Sequence, residues 1–283
     1  MKNFGLYFNP YYHDNGSVIR VLKSIKKQYG INYFKTTDEN NLPSYVSKLA
    51  KVNNSELDCI LVFGGDGTML KAAGLSLEHK VPLLGINLGK MGFLSDSNLK
   101  ELEKSIHELV HNRYKIQKRM ILKVSLKRAN KLIYSGLAIN DAVVFKGEEP
   151  KLIEIKVYCN RRYVLETRCD GVLAATPTGS TAYSLAAGGP ILSPVMEAII
   201  FAPLSPHILS VRPMVFSSKD QLAFKIRSIY ENAILQIDGK NEHELVENDE
   251  IIVAKAPQKV EFIKLSNKTF YQILRKKLHM GRR

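Results

Sequence analysis

A change of hydrophobic pattern near residue 115 divides this sequence into two parts that must fold differently. Before it, apolar runs at residues 4–8 and 59–63 alternate with helical spacing of apolar side chains at residues 18–25 and 43–49. The run at 59–63 is apolar on both faces, which is typical of a strand buried inside a parallel sheet. The alternation therefore predicts an open parallel α/β sheet with helices on both faces.

After residue 115 the pattern becomes that of a β-rich domain. Residues 121–127 and 152–157 alternate apolar and polar side chains, and further short strand-like runs follow between residues 222 and 265. Many short strands with few helices predict an antiparallel sandwich. Residues 270–278 return to helical spacing, and we expect this last helix to pack back on the first domain. The predicted domains are residues 1–112 with 266–283, and residues 113–265.

Composition narrows the class of protein. The 283 residues suit two domains, no apolar run reaches the roughly 18 residues of a membrane span, and Pro10 breaks the first run too early for a signal peptide. The three cysteines form no CxxC pair, and their odd number argues against a disulfide framework. We therefore expect a cytoplasmic protein with reduced thiols.

The formal net charge of +14 favours an anionic partner. Charge alone does not distinguish a nucleic acid, a membrane surface and a phosphorylated small molecule. No helix-turn-helix, zinc-finger or RNP-like signature is present, so we expect no specific binding of nucleic acid. We also expect no membrane partner.

The first candidate site is the sequence Gly-Gly-Asp-Gly-Thr at residues 64–68, where a predicted buried strand gives way to a helix. Ligands of open α/β folds bind at the carboxyl ends of such strands, and glycines let the backbone approach phosphates. A helix N-terminus favours an anion, so Asp66 is out of place there unless it orients or deprotonates a hydroxyl or binds a metal. The alternative is a tight turn in which Asp66 caps the helix. The segment is neither a Walker loop nor GxGxxG.

The second candidate site is residues 170–184, where a predicted buried strand ends in a loop rich in small hydroxyl side chains. These hydroxyls could line a pocket for ribose or phosphate, and Tyr183 could pack on a base. The alternative is that they cap a helix that begins within residues 182–187.

The third candidate site is the polar pair Asn140 and Asp141, within the otherwise apolar, strand-like residues 137–145. Such a pair must be hydrogen-bonded or exposed in a cleft. A carboxylate can accept hydrogen bonds from a ribose diol, and an Asn amide can pair with an adenine edge. A β-bulge or an edge position is the alternative.

Together these segments resemble the NAD kinase family, from about residue 57 to the end of the chain. The residues that carry the resemblance are 64–68, 82–94, 140–141, 170–183 and 270–278. Lipid kinases of the diacylglycerol and sphingosine type share the sequence at 64–68, so such a kinase is the alternative enzyme. A non-catalytic dinucleotide sensor is the alternative from another class.

The resemblance implies transfer of the γ-phosphoryl group of ATP to the 2′-hydroxyl of the adenosine ribose of NAD, with a divalent metal, expected to be Mg²⁺. It implies that Asp66 is the base, that Asp141 binds ribose hydroxyls, and that the chain forms homodimers or homotetramers. The family commonly has Glu where this chain has Asp141, and Asp238 with Gly239 resembles a further family position near the site. Residues implied to bind NAD are Gly67, Asn140, Asp141, Arg168, Asp170, Thr178, Thr181, Ala182, Tyr183 and Ser184. Residues implied to form the phosphate-binding loop are Gly64, Gly65 and Thr68. No metal ligand is assigned.

Overall fold

The computed structural model describes residues 1–11, 16–36, 46, 49, 57–89, 92–147, 151–228 and 233–280. The chain divides into two compact units, Met1–Lys118 with Val260–Arg283, and Arg119–Lys259. Two long strands, Lys115–Arg128 and Glu250–Lys264, cross these boundaries. The domain bounds expected from the sequence, near residues 112 and 266, stay a prediction. The helix expected over residues 43–49 lies mostly outside the described residues. Among the described residues, no helix is long and apolar enough to cross a membrane.

Most helices belong to the first unit. The α-helices whose bounds lie within the described residues are α1 (Gly16–Tyr29), α2 (Asp66–His79), α3 (Leu102–Val110), α4 (Tyr183–Ala186) and α5 (Phe270–Leu278). Helix α1 buries Val18, Leu22 and Ile25, and Gly30 ends it with a φ of +63° that suits glycine.

A parallel sheet forms the centre of the first unit, which confirms the predicted α/β class. Its strands are β1 (Asn3–Phe8), β2 (Asn32–Lys35), β3 (Cys59–Phe63), β4 (Leu83–Asn87) and β5 (Ser97–Asn98). The order β2-β1-β3-β4 places a topological switch point between β1 and β3, where open α/β sheets bind ligands. The rings of Phe8 and Phe63, at the carboxyl ends of these two strands, are stacked with centroids 4.5 Å apart. The segment that follows β3, residues 64–68, therefore lies at the edge where a ligand is expected.

The second unit is β-rich. Its strands are β6 (Lys115–Arg128), β7 (Lys131–Ala138), β8 (Asp141–Lys146), β9 (Ile153–Cys159), β10 (Arg162–Cys169), β11 (Gly171–Ala175), β12 (Ala198–Leu204), β13 (Met214–Ser217), β14 (Gln221–Ser228), β15 (Ala233–Ile237), β16 (Lys240–Leu245) and β17 (Glu250–Lys264), of which β6 and β17 extend into the first unit. Strands β13-β12-β11-β8-β15-β16 form one antiparallel sheet, and β10-β9-β14-β17 belong to another. Phe201 of β12 and Phe224 of β14 meet in a common core with ring centroids 5.9 Å apart. This packing of two sheets confirms the predicted sandwich.

The structure differs from the sequence-based expectation at three places. The strand-like runs at 251–253 and 260–265 belong to the single strand β17. Residues 137–145 are not one strand, because β7 ends at Ala138 and β8 begins at Asp141. The helix expected within 182–187 is the single turn α4, preceded by a 3₁₀ turn at Gly179–Thr181.

Candidate active site

Asp66 is held at the start of α2 by backbone amides from another loop. Its Oδ2 accepts a hydrogen bond from the Phe93 N–H at 2.9 Å, and its Oδ1 accepts one from the Leu94 N–H at 3.0 Å. The N-cap of α2 is Gly65, and no side chain caps this helix end. Asp66 therefore does not cap the helix, as it would in the alternative interpretation of this segment as a tight turn. Two fixed amides give its carboxylate one orientation at the carboxyl edge of the sheet.

Two glycines around Asp66 are required by close packing. A Cβ added to Gly92 would clash with Asp66 Oδ1, and a Cβ added to Gly64 would clash with Thr68 Oγ1. Nothing lies within 4 Å of a Cβ added to Gly65 or Gly67. The absence of a side chain at Gly92 and Gly64 thus leaves room for the side chains of Asp66 and Thr68. The space beside Gly65 and Gly67 is not filled by other groups of the protein.

In the second unit, Asp141 is a buried carboxylic acid at the first residue of β8. Only 5% of the residue is exposed. Burial, followed by the charge of Asp238, raises the pKa of Asp141 to about 7. A carboxyl group of this kind titrates near neutral pH, which is a property common among functional acids.

The hydroxyl-rich loop after β11 packs directly on Asn140. The Thr176 Oγ1 donates to the Ile139 carbonyl at 2.5 Å, and the Thr176 N–H donates to the Asn140 carbonyl at 2.8 Å. A Cβ added to Gly179 would clash with the Asn140 carbonyl oxygen. The structure thus brings the second and third sequence segments together at one end of a sheet, where Asp141 pairs with Ala175.

Two hydroxyls of this loop region are buried without a partner. Among the described residues, neither the Thr178 Oγ1 nor the Ser184 Oγ has a hydrogen-bond partner. Thr178 is 8% exposed and Ser184 is fully buried. A buried hydroxyl that makes no hydrogen bond is costly, so these two groups are candidates for contact with a bound polar molecule.

A pocket of about 440 Å³ lies beside Tyr183, and its lining includes Asp170 and Arg212. Lys146 forms an ion pair with Asp170 at 2.8 Å, and its hydrogen bond holds the pKa of Asp170 below the usual range. The pKa of Tyr183 is raised by burial and then by the charges of Asp170 and Asp141. The pocket therefore combines an aromatic ring with charges of both signs.

Known proteins match this chain over both units. The family model of the ATP-NAD kinase N-terminal domain matches residues 13–114, and that of the C-terminal domain matches residues 139–265. The NAD kinase of Aquifex aeolicus is 39% identical over 264 residues, which is 93% of each chain. The NAD kinase of Carboxydothermus hydrogenoformans is 38% identical over 228 residues, which is 81% of each chain.

This chain belongs to the NAD kinase family. Its structure is also similar to that of yeast NADH kinase complexed with NADH, with a TM-score of 0.87 and 25% identity over 100% of this chain and 89% of that one. An NAD kinase from Archaeoglobus fulgidus in complex with ATP has the same fold, with a TM-score of 0.72 and 23% identity over 99% of both chains. The activity of the chain is that of an NAD kinase, and the lipid kinase and the non-catalytic sensor are not favoured.

The Arg168 side chain pairs with Glu154, which is not among the residues that the NAD kinase resemblance implies. Its Nε donates to Glu154 Oε2 at 3.0 Å, and its side chain is 71% exposed. It lines a smaller pocket of about 240 Å³ with Glu154 and His207, not the pocket beside Tyr183. The structure of this one chain therefore does not bring Arg168 together with Asp170, and its role in binding NAD stays a prediction.

The sequence did not indicate Lys146 as part of this candidate site, and it indicated Asp238 only through the family resemblance. Lys146 is the partner of Asp170, but nothing in the spacing of the two residues indicates that they meet. Asp238 accepts hydrogen bonds from the backbone next to Asn140 and Asp141. Its signal was the Asp-Gly pair after an apolar run, which is typical of a tight hairpin turn. That signal predicts the turn but not the partner of the Asp side chain.

The packing of Gly92 on Asp66 makes a testable prediction. Gly92→Ala should push the Asp66 carboxylate from its place and lower kcat for NAD phosphorylation about a hundredfold, as a misplaced group near the chemistry can do. NADP formation, followed with an NADP-specific dehydrogenase, measures the effect. The matched control is Gly74→Ala within α2, because an added Cβ there meets nothing within 4 Å, and kcat should not change. Equal kcat values for the two variants would contradict the prediction.

Proposed function

We propose that the chain transfers the γ-phosphoryl group of ATP to the 2′-hydroxyl of the adenosine ribose of NAD, with Asp66 as the base. The observation that carries the proposal is the Asp66 carboxylate, held by the amides of Phe93 and Leu94 at the carboxyl edge of a parallel sheet. Each carboxylate oxygen keeps a further lone pair, which a substrate hydroxyl can use. A carboxylate held in this way could accept the proton of an alcohol, and a ribose hydroxyl is the acceptor in the NAD kinase reaction.

Phosphoryl transfer needs alignment and charge neutralisation more than covalent help from the protein. In the proposed reaction, the bond between the ribose O2′ and the γ-phosphorus forms while the bond from that phosphorus to the β,γ-bridging oxygen breaks. ADP leaves, and the proton of the 2′-hydroxyl passes to the Asp66 carboxylate. A ribose hydroxyl is a very weak acid, so the proton moves late. Asp66 also orients the hydroxyl before transfer.

We propose that Gly64, Gly65 and Thr68 form the loop that binds phosphate. The helix dipole favours an anion at the start of a helix. The Thr68 N–H donates to the Gly65 carbonyl and the Gly64 N–H to the Ile86 carbonyl, both at 3.0 Å, so the other amides of this segment would bind the phosphate. Helix α2 begins at Asp66, and Gly65 and Gly67 place no side chain in the space beside it. ATP as the donor is supported by the family description and by the complex of the Archaeoglobus fulgidus enzyme with ATP.

A divalent metal, with Mg²⁺ as the candidate, is proposed to enter with ATP. Among the described residues, no group of three or more His, Cys, Asp or Glu side chains could hold a metal ion. This fits Mg²⁺, which keeps several waters and binds through one or two carboxylates together with substrate phosphates. The metal would neutralise phosphate charge.

We propose that the second unit binds NAD through Asn140, Asp141 and the loop after β11. Asp141 would accept hydrogen bonds from ribose hydroxyls, and Asn140 would pair with the adenine. The loop offers the unpartnered hydroxyls of Thr178 and Ser184. Thr181, Ala182 and Tyr183 would line the nucleotide pocket, and Asp170 would contact the second nucleotide half. The complex of yeast NADH kinase with NADH supports binding of a dinucleotide.

We further propose a cytoplasmic homodimer or homotetramer. The three cysteines are free thiols, in keeping with a reducing compartment. A self-associating surface is supported by large apolar side chains that the second unit exposes, namely Val195, Met196, Ile208, Leu209 and Val215.

Asp66→Asn tests the base. The change keeps the shape of the side chain and removes its charge, so kcat should fall by about 10²–10⁴, the usual contribution of a general base. KM for NAD should change little. Steady-state rates of NADP formation with ATP, Mg²⁺ and NAD give both constants. If the variant keeps more than about a third of the wild-type kcat, Asp66 is not the base.

Asp141→Ala tests the ribose contact. Each charge-assisted hydrogen bond that is lost should weaken NAD binding by about 1.5–3 kcal/mol, which raises KM for NAD roughly ten- to a hundredfold. Asp141→Glu separates two geometries. KM near the wild-type value indicates that a water bridges the shorter Asp to the ribose, and a raised KM indicates direct contact. A lower melting temperature of Asp141→Ala with an unchanged KM would remove Asp141 from the site.

The raised pKa of Asp141 also predicts a pH dependence. The group is charged above its pKa of about 7 and neutral below it, and only the charged form accepts two strong hydrogen bonds. The value of kcat/KM for NAD should therefore fall about tenfold for each pH unit below that pKa. Asp141→Asn is the control, since it has no ionisation at this position and should lose the dependence. A fall that persists unchanged in Asp141→Asn would assign the titration to another group.

A further inference from the structure

Asp238 lies in the turn between β15 and β16, and its carboxylate accepts hydrogen bonds from three consecutive backbone amides of another part of the chain. Its Oδ2 accepts from the Ile139 N–H at 2.9 Å. Its Oδ1 accepts from the Asn140 N–H at 2.7 Å and from the Asp141 N–H at 3.1 Å. Three convergent amides form a concave site for an anion, and here the anion is a side chain of the protein itself.

The carbonyl groups of the same three residues are also occupied. Those of Ile139 and Asn140 accept from the side chain and the backbone of Thr176, at 2.5 and 2.8 Å. The carbonyl of Asp141 accepts from the Asp238 N–H at 3.0 Å. All six backbone polar groups of residues 139–141 thus have partners, four of them through Asp238 and two through Thr176.

This arrangement explains why β7 and β8 are separate strands. In a strand, successive N–H groups point to opposite sides, so a ladder cannot use three consecutive amides on one side. The Asp238 carboxylate uses all three, and the strand is broken between Ala138 and Asp141. The backbone that carries the side chains of Asn140 and Asp141 is therefore shaped by Asp238.

The turn that contains Asp238 has the backbone conformation of a tight β-hairpin. Asp238 and Gly239 have φ angles of +48° and +79°, as in a two-residue type I′ hairpin turn. Asp and Asn are the non-glycine residues that adopt this conformation most readily. An Asn at position 238 therefore preserves the turn while it removes the charge.

We propose that Asp238 is a positioning residue for NAD, because its carboxylate fixes the backbone that presents Asn140 and Asp141 to the substrate. This inference rests on the proposed roles of Asn140 and Asp141 in NAD binding. Asp238 itself need not touch the substrate. Its removal should weaken binding of NAD and leave the rate of the bound complex and the binding of ATP unchanged.

The negative charge of Asp238 also affects the pKa of Asp141. It is the second cause, after burial, of the raised pKa of Asp141. Burial raises the pKa of Asp238, and the charge of Lys240 opposes that rise. Tyr183 is a titratable neighbour of Asp141, and its pKa is raised by burial and then by the charges of Asp170 and Asp141. Loss of the Asp238 charge should therefore lower the pKa of Asp141.

Asp238→Asn is the test variant. Its single carbonyl oxygen can still accept from Asn140 and Asp141, but its NH₂ group faces the Ile139 N–H. We expect KM for NAD, measured well above the pKa of Asp141, to rise about tenfold, with kcat and KM for ATP close to wild type. The fall of kcat/KM for NAD should also begin at a lower pH than in the wild type. A purely structural role would lower the melting temperature without moving this pH profile.

Two further variants keep the test decisive. Thr176→Val removes the hydroxyl bound to Ile139 but no charge, so it should raise KM for NAD and leave the pH profile in place. Asp220→Asn is the matched control, because Asp220 also accepts a backbone amide at a turn of the same unit, from Ser217 at 3.0 Å. It should change neither KM nor the profile.

The proposal is overturned if Asp238→Asn keeps the wild-type KM for NAD, whatever Thr176→Val does, or if Asp238→Asn leaves the pH profile where it is. Failure of the proposed role of Asp141 in NAD binding, on which this inference rests, is a separate result. It would appear as an unchanged KM for NAD in Asp141→Ala, whatever the behaviour of the Asp238 variant.

Discussion

Carboxylates that accept backbone amides hold the functional loops of this protein. Asp238 binds three amides of residues 139–141, and Asp66 binds two amides of residues 93–94. Asp96 accepts from the amides of residues 265–266, both at 2.6 Å, and so fastens the segment before α5. A carboxylate offers about four acceptor sites, so it can satisfy neighbouring amides that no sheet ladder reaches. The loops are therefore ordered by charge as much as by apolar packing.

The regular elements decide where these carboxylates lie. In the first unit, the topological switch point lies between β1 and β3 at the carboxyl edge of the parallel sheet. Asp66 follows β3 at this edge. In the second unit, β8 begins at Asp141 and β11 ends at Ala175, and these two residues are paired. The segment before β8 and the loop after β11 consequently emerge side by side. The contact between Thr176 and residues 139–140 follows from this register.

The sequence predicted much of this because its strongest signals are local. A strand that is apolar throughout, followed by glycines and a helix, defines β3, the loop and α2 without knowledge of the rest of the chain. The same reasoning failed at residues 137–145, since the groups that break this strand lie far away in sequence, at Asp238 and Thr176. It also could not foresee that Lys146 pairs with Asp170 or that Arg168 turns to Glu154. Such side-chain pairings depend on strand register, which hydrophobic periodicity does not specify.

Burial of Asp141 has a consequence for what the site can bind. Burial and the charge of Asp238 disfavour its charged form, and each unit of raised pKa corresponds to about 1.4 kcal/mol. Under the proposed assignment, a ribose hydroxyl would donate a hydrogen bond to that charge and so offset part of the cost of burying it. A molecule without the ribose hydroxyls would leave the charge unsatisfied and would bind more weakly, as sites built around a hydroxyl reject analogues that lack it.

The proposed contact of Asp141 with the ribose would also distinguish the substrate NAD from the product NADP. After transfer, the ribose of NADP has lost one hydroxyl donor and gained a negatively charged phosphate. Under the proposed assignment, the Asp141 carboxylate would lie near this new negative charge in the product and would be repelled by it. If both proposed roles hold, Asp141 would therefore favour binding of NAD over binding of NADP.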